Sequence, residues 1–215
     1  MGRSQEPVLE FPLTFGTYSE ITALDRDLIS AWLFGRNEYK KLYILQDDLN
    51  GAYFNCFLKN PIPLYVGNIN YAFQCTVVCD SPFAYGYEKV ISGSYTSSLT
   101  STYIDVYNNS SEDDYLYPEI SFQMNDGGTS FSLTNTSDSD RLFAFGTSSG
   151  SPLLTNEEIY VDNDLQIINS STGLLRVSHF NKNWLRLIPG KNIFFLNSRL
   201  SWFEIKFRER FKVGG

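Results

Sequence analysis

Asn70-Tyr71-Ala72-Phe73-Gln74-Cys75-Thr76-Val77-Val78-Cys79 decides the fold class. Successive side chains of a strand point to opposite faces, so Tyr71, Phe73, Cys75, Val77 and Cys79 share one face of an extended segment. Asp80-Ser81-Pro82 then breaks it. Upstream, Val8 to Phe15, Lys41 to Leu45 and Ala52 to Leu58 also read as strands. The last two are separated by the acidic turn Gln46-Asp47-Asp48-Leu49-Asn50-Gly51, whose Asn50-Gly51 is a hairpin signal. A single segment reads as a helix. Thr22 caps it with Asp25 three residues on, Leu24, Leu28, Trp32 and Leu33 make an apolar stripe with Ile29, and Gly35 offers a left-handed stop. The expectation is a mostly antiparallel sheet, ending near Tyr85, with the helix laid against it and Trp32 as the anchor.

Past Gly86 the composition turns toward Ser, Thr, Asn and Gly, and only strands follow. They are read at Lys89–Tyr95, Thr102–Tyr107, Glu119–Met124, Thr129–Thr134, Arg141–Phe145, Glu158–Val161, Leu165–Ile168, Trp184–Leu187, Asn192–Leu196 and Trp202–Arg208. Many short strands joined by turns such as Asn125-Asp126-Gly127-Gly128 indicate a β-sandwich. Two loops, Asn108 to Asp114 and Gly146 to Pro152, are expected to be exposed. The sequons at Asn108, Asn109, Asn135 and Asn169 lie in polar stretches of an Asn- and Ser-rich chain and are read as chance.

The 215 residues suffice for one or two domains with a real core. With 17 Phe, 14 Tyr and 3 Trp they carry the vocabulary of packed strands. A net charge of −7 argues against a nucleic-acid partner, which needs clustered Lys and Arg. No apolar run approaches a membrane span of about 20 residues. No charged-then-apolar leader opens the chain, and Glu6 stands where a myristoylation motif wants Ser or Thr. Cys56, Cys75 and Cys79 are too few for a disulfide framework and suit a reducing compartment. Cys75 and Cys79 read as core residues rather than a metal pair, because no second ligand pair exists and His179 is the single histidine.

The same solitary His179 leaves no nucleophilic triad to build. The acid pairs Asp47-Asp48, Asp113-Asp114 and Glu157-Glu158 are adjacent in sequence, which in a strand sends the two carboxylates to opposite faces. No nucleotide-binding, zinc-protease or hydrolase-elbow motif occurs. The expectation is a chain that is not an enzyme, with no cofactor, no metal and no catalytic residue. Tyr103, Tyr107, Tyr115 and Tyr117 are the candidates for stacking on sugar rings. The other reading of them, as half-buried sheet and rim residues or subunit contacts, stays open.

Five stretches in chain order resemble the distal tail (Dit) proteins of long-tailed phages and prophages. They are Glu10-Phe11-Pro12-Leu13-Thr14-Phe15-Gly16; Trp32-Leu33-Phe34-Gly35 through Tyr39-Lys40-Lys41-Leu42; Ala72-Phe73 with Cys79-Asp80-Ser81-Pro82-Phe83-Ala84-Tyr85; Ile159-Tyr160-Val161-Asp162-Asn163 with Ser170-Ser171-Thr172-Gly173; and Trp184-Leu185-Arg186-Leu187-Ile188-Pro189-Gly190-Lys191-Asn192. The resemblance implies a split-barrel-like antiparallel sheet with one helix over 1–86, forming a ring that continues the tail tube, and a galectin-like β-sandwich over 87–215. Family members carry some tens of residues ahead of the Glu10 stretch, which implies a first domain incomplete at its N-terminus. The implied partners are further copies of the chain in a hexameric ring, the tail tube protein, the tail-tip or tail-associated protein, and receptor-binding or baseplate proteins. DNA passes without being bound, and no membrane is contacted. The implied location is the virion tail tip, after synthesis in the bacterial cytoplasm. The alternative function is a carbohydrate-binding module used in host adhesion.

Overall fold

The structure, a computed structural model, describes residues 8–35, 38–45, 51–95, 100–146 and 152–212. Two compact units emerge: Met1–Gly86 together with Arg210–Gly215, and Tyr87–Glu209.

In the first unit, β1 (Glu10–Gly16) and β3 (Tyr53–Val66) flank β4 (Ile69–Cys79), both antiparallel to it. The alternation along 70–79 does what its period requires. Phe73, Cys75, Val77 and Cys79 are buried while Gln74 faces water. Phe11, Leu13 and Phe15 lie opposite Val77, Cys75 and Phe73, so the apolar face continues across the strand pair. β2 (Lys40–Tyr43) pairs with β3, Tyr43 facing Tyr53 as a hairpin demands, while the turn at 46–50 lies outside the described residues. This sheet is open, with β1 bonded on one side only; it does not close into a barrel. β3 runs well past Leu58, through Pro61 and Pro63. A register shift between Lys59 and Ile62, with Asn60 at φ 55°, admits them. Phe211, from the far end of the chain, packs against the same core, so Arg210 onward belongs here rather than with the sandwich.

Helix α1 (Ala23–Ile29) begins as expected. The Thr22 hydroxyl accepts from the Asp25 N–H at 3.2 Å, and Asp25 Oδ2 accepts from the Thr22 N–H at 3.0 Å. Hydrogen bonds from the Thr22 side chain and then its backbone hold the Asp25 carboxyl below its ordinary value. The helix continues as a wider π-turn over Ser30–Phe34, and Gly35 ends it at φ −78°, not in the left-handed region. Trp32 is no anchor. It is 71% exposed, and Leu24 and Leu28 are 69% and 61% exposed. At 3.6 residues per turn, Leu24, Leu28 and Trp32 form one row and Ile29 and Leu33 the neighbouring row. The second row is the half-buried one.

Cys56 and Cys79 are cross-strand partners, and all three cysteines are buried and free. Burial first, then the nearby Asp80 and a neighbouring thiol, push Cys56 up to about 11; burial, then Cys56 and Asp80, push Cys79 up to about 12. Thiolates are the reactive form. A disulfide reagent at neutral pH is therefore expected to leave the native chain unmodified and to count three thiols after denaturation. Modification of the folded chain within minutes would mean that the sheet opens locally.

The second unit packs two sheets face to face. β5 (Phe83–Ser94) crosses the division at Gly86 without a break, so no linker separates the units in sequence. In the second unit its outer half lies beside β13 (Leu200–Lys212), and the order continues through β7 (Glu119–Met124), β10 (Glu158–Asp162) and β11 (Ile167–Ser170). The facing sheet runs β6 (Thr100–Asn108), β12 (Gly190–Ser198), β8 (Phe131–Asn135) and β9 (Arg141–Phe145). Between them Phe122 of β7 stacks on Phe131 of β8, centroids 3.9 Å apart, and Phe143, Phe145, Phe180 and Phe194 fill out the core.

Trp184–Leu187 is not a strand, although Leu187 bridges Leu116. Asparagine side chains hold its backbone instead. Leu185 N–H donates to Asn163 Oδ1 (2.8 Å), Ile188 N–H to Asn192 Oδ1 (2.9 Å), and the Arg186 carbonyl accepts from Asn135 (3.4 Å). Asn108 is also buried, its amide reaching the Ile188 carbonyl at 3.4 Å, so the loop expected to be exposed begins inside the protein. The sequon asparagines Asn108 and Asn135 are thus structural amides.

Candidate interaction surfaces

Among the described residues no group of three or more His, Cys, Asp or Glu side chains is placed to hold a metal. His179 ends a short 3-10 turn, Val177–His179, and its Nδ1 lies 3.4 Å from the hydroxyl of its neighbour Ser178. Of the acid pairs, Asp47-Asp48 lies outside the described residues. Asp113-Asp114 is solvated. Glu157-Glu158 divides: Glu158, the first residue of β10, reaches the half-buried Gln123, while Glu157 just before it is buried against Arg176. Arg176 donates from Nε to Oε1 (2.7 Å) and from Nη2 to Oε2 (2.6 Å), and Ser170 and the Leu154 N–H complete the shell. Burial raises the Glu157 pKa; the Arg176 hydrogen bonds, with those from Ser170 and Leu154, outweigh it, so the net shift is downward. Sequence reasoning missed this pair, whose members stand 19 residues apart.

Exposed apolar side chains gather on each unit. On the first unit, the row Leu24, Leu28, Trp32 stands in water, and Arg26 reaches from the same helix to the Tyr65 hydroxyl at 3.1 Å. Tyr65 sits at the end of the β3–β4 hairpin with Leu64, Val66 and Ile69, all exposed. Beside the π-turn, Trp32 and Leu33 form one wall of a groove of about 350 Å³ whose other wall is Leu42, Phe57 and Leu58. An apolar row on a capped helix is costly to leave in water.

On the second unit, the outer face of the four-stranded sheet carries two of the four candidate tyrosines. Tyr103 and Tyr107, with Asp105 between them, point outward from β6, 66% and 51% exposed for the tyrosines. Tyr103 faces Phe195 of β12, ring centroids 5.1 Å apart. Asp105 receives the Lys191 ammonium at 2.8 Å, which lies 5.9 Å from the Tyr107 ring. Tyr115 and Tyr117 keep different company. The Arg186 guanidinium sits 3.8 Å over the Tyr115 ring while donating twice to Asp138, and Tyr117 is half-buried nearby in sequence. Register extends the first pair across the sheet. Tyr103 lies opposite Phe195, Phe195 opposite Thr134 of β8, and Thr134 opposite Leu142 of β9. At the adjoining corner, Ser132, Asn197 and Arg199 line a polar hollow of about 290 Å³.

A family model described as a phage tail protein N-terminal domain matches residues 1–81, and one described as a phage tail C-terminal domain matches residues 83–207. A search of the curated proteins finds no match. The distal tail protein (Dit) of phage SPP1, described as a paradigm of the hub adsorption apparatus in phages infecting Gram-positive bacteria, superposes with a TM-score of 0.65. Its identity is 15%, over 95% of this chain and 79% of that one. The phage P2 baseplate in its activated conformation with calcium gives a TM-score of 0.47 at 12% identity, over 95% of this chain and 80% of that one. The chain belongs to the phage tail protein family that these two models describe, and its fold is that of a distal tail protein.

Proposed function

We propose that this chain is the hub of a phage tail tip: six copies close into a ring through the first unit, continuing the tail tube, and the ring carries the adhesion apparatus. The observation that bears most on this reading is the water-facing row Leu24, Leu28, Trp32, within residues 1–81, which match a phage tail N-terminal model. A ring needs a heterologous contact, one patch against a different patch on the next copy. The helix row and the apolar end of the β3–β4 hairpin supply two such patches. Its further partners are the tail tube protein, the tail-associated protein and receptor-binding or baseplate proteins, and it resides in the virion. The role is structural, with no reaction, and the net charge of −7 keeps the passing genome unbound.

Negative-stain imaging and light scattering of the purified chain test this, with two variants. Trp32→Ala is expected to change thermal stability by no more than about 0.5 kcal/mol, as surface substitutions do. Leu28→Asp is expected to leave a folded monomer, because a charge in the middle of a buried row is unpaired. A wild-type chain that stays monomeric at all concentrations, or a ring that survives Leu28→Asp, refutes the reading.

A further inference from the structure

We propose that the outer face of the four-stranded sheet in the second unit binds an extended, β-1,4-linked saccharide chain lying across the strands. The inference is independent of the hub reading, since it concerns the sandwich in any state of assembly.

The row Tyr103, Phe195, Thr134, Leu142 has one side chain from each of the four strands, in register, all on the solvent side. Neighbouring strands lie about 4.8 Å apart, close to the advance per residue of an extended pyranose chain, so the track repeats in step with such a ligand. The row is aromatic at one end, Tyr103 and Phe195, and aliphatic and hydroxylic at the other, Thr134 and Leu142. Tyr103, at the edge strand, is 66% exposed and inclined 43° to Phe195. That leaves a ring face open to the axial C–H groups of a sugar, the contact by which a flat, equatorially linked chain is held without charge.

Polar groups flank the track on both sides, where the equatorial hydroxyls of such a chain project. On one side stands the Asp105–Lys191 ion pair, at 2.8 Å, with Tyr107 beyond it. A carboxylate and an ammonium already oriented by each other present acceptors and donors at little further ordering cost. On the other side lie Ser101, opposite Asn197, and the hollow of about 290 Å³ lined by Ser132, Asn197 and Arg199. Its glycine wall, Gly127-Gly128, brings backbone close to the space, and its volume is near the lower end of small-ligand sites, about 300 Å³. An aromatic track with an ion pair on one flank and an amide, hydroxyl and guanidinium hollow on the other is poorly suited to a purely apolar protein face. It is well suited to a ligand that is apolar on its ring faces and hydroxylated on its rim.

Isothermal titration of the full chain with cellohexaose and chitohexaose tests this, with maltohexaose as the coiled, α-linked control. Saturable binding of at least one straight chain is expected, and at least about tenfold weaker binding of maltohexaose. Tyr103→Ala is expected to weaken binding at least about tenfold with an unchanged melting curve, Tyr103→Phe to retain it, and Tyr18→Ala, at an exposed tyrosine of the first unit, to leave it as it was. Silence toward both straight chains overturns the proposal and leaves a protein as the occupant of this face. Equal affinity for maltohexaose, or full affinity in Tyr103→Ala, overturns it as well.

Discussion

Arg176→Met is expected to destabilise the sandwich by about 3–5 kcal/mol, because it strands the buried Glu157 carboxylate without its counter-ion. Both side chains are essentially removed from water, so no solvent takes over when the guanidinium leaves. Glu157→Gln is also expected to destabilise the sandwich, because it takes the carboxylate from a guanidinium that is 1% exposed. The double change Glu157→Leu, Arg176→Met separates charge from hydrogen bonding. It relieves both ions but takes the acceptor from the Leu154 N–H, so recovery should stop about 1–3 kcal/mol short. Urea unfolding followed by near-ultraviolet circular dichroism gives all three values. A single-variant cost below about 1 kcal/mol would show that water enters the site.

The same pair makes stability depend on pH. The folded Glu157 pKa lies below the ordinary value of 4.5, so its contribution is fully present above that value and is lost as the pH falls through the folded one. In Glu157→Gln that part of the acid dependence should vanish. A wild-type and variant profile that run parallel from neutral pH into the acid range would contradict the assignment.

Phe122→Ala is expected to cost about 3–5 kcal/mol. Phe122 is fully buried on the strand between β13 and β10, and its ring lies flat on Phe131 of the opposite sheet, 9° from parallel. Removing it opens a cavity at a stack that joins the two layers, with Phe145 5.8 Å away and unable to move in without leaving Phe143 and Phe180. Phe122→Leu should cost distinctly less, since the site then keeps most of its volume. A loss below about 1 kcal/mol for the alanine variant would mean that the aromatic core re-forms around the gap.

What the sequence revealed followed from period and local chemistry. The strands Glu119–Met124 and Arg141–Phe145 lie where alternation put them, and the Thr22–Asp25 cap forms as its spacing required. Where pattern alone left a choice, reading failed. The apolar positions of the helix form two adjacent rows, and periodicity does not say which one is covered; Ile29 and Leu33 are half-buried, and Trp32 is exposed. The strand through Pro61 and Pro63 was hidden because prolines speak against a strand unless it is an edge or bulged, a tertiary circumstance. Asn135, Asn163 and Asn192 replace a sheet ladder for residues 185–188, a long-range role that no local pattern signals. Of the tyrosines, strand alternation gave Tyr103 and Tyr107 a common face. Nothing local placed Tyr115 beneath Arg186, whose partner Asp138 is 48 residues distant.

The return of the chain to its first unit sets an order of completion during translation. Leu9, Phe11 and the early strands are made before the sandwich, but Phe211 of the same core is made after it. At about 5–20 residues per second, a ribosome spends on the order of ten seconds on the intervening Tyr87–Glu209. The sandwich therefore has all its residues in hand while the other unit still lacks a piece of its core. A polypeptide released between Glu209 and Phe211 carries every residue of the sandwich beside a first unit whose core lacks Phe211.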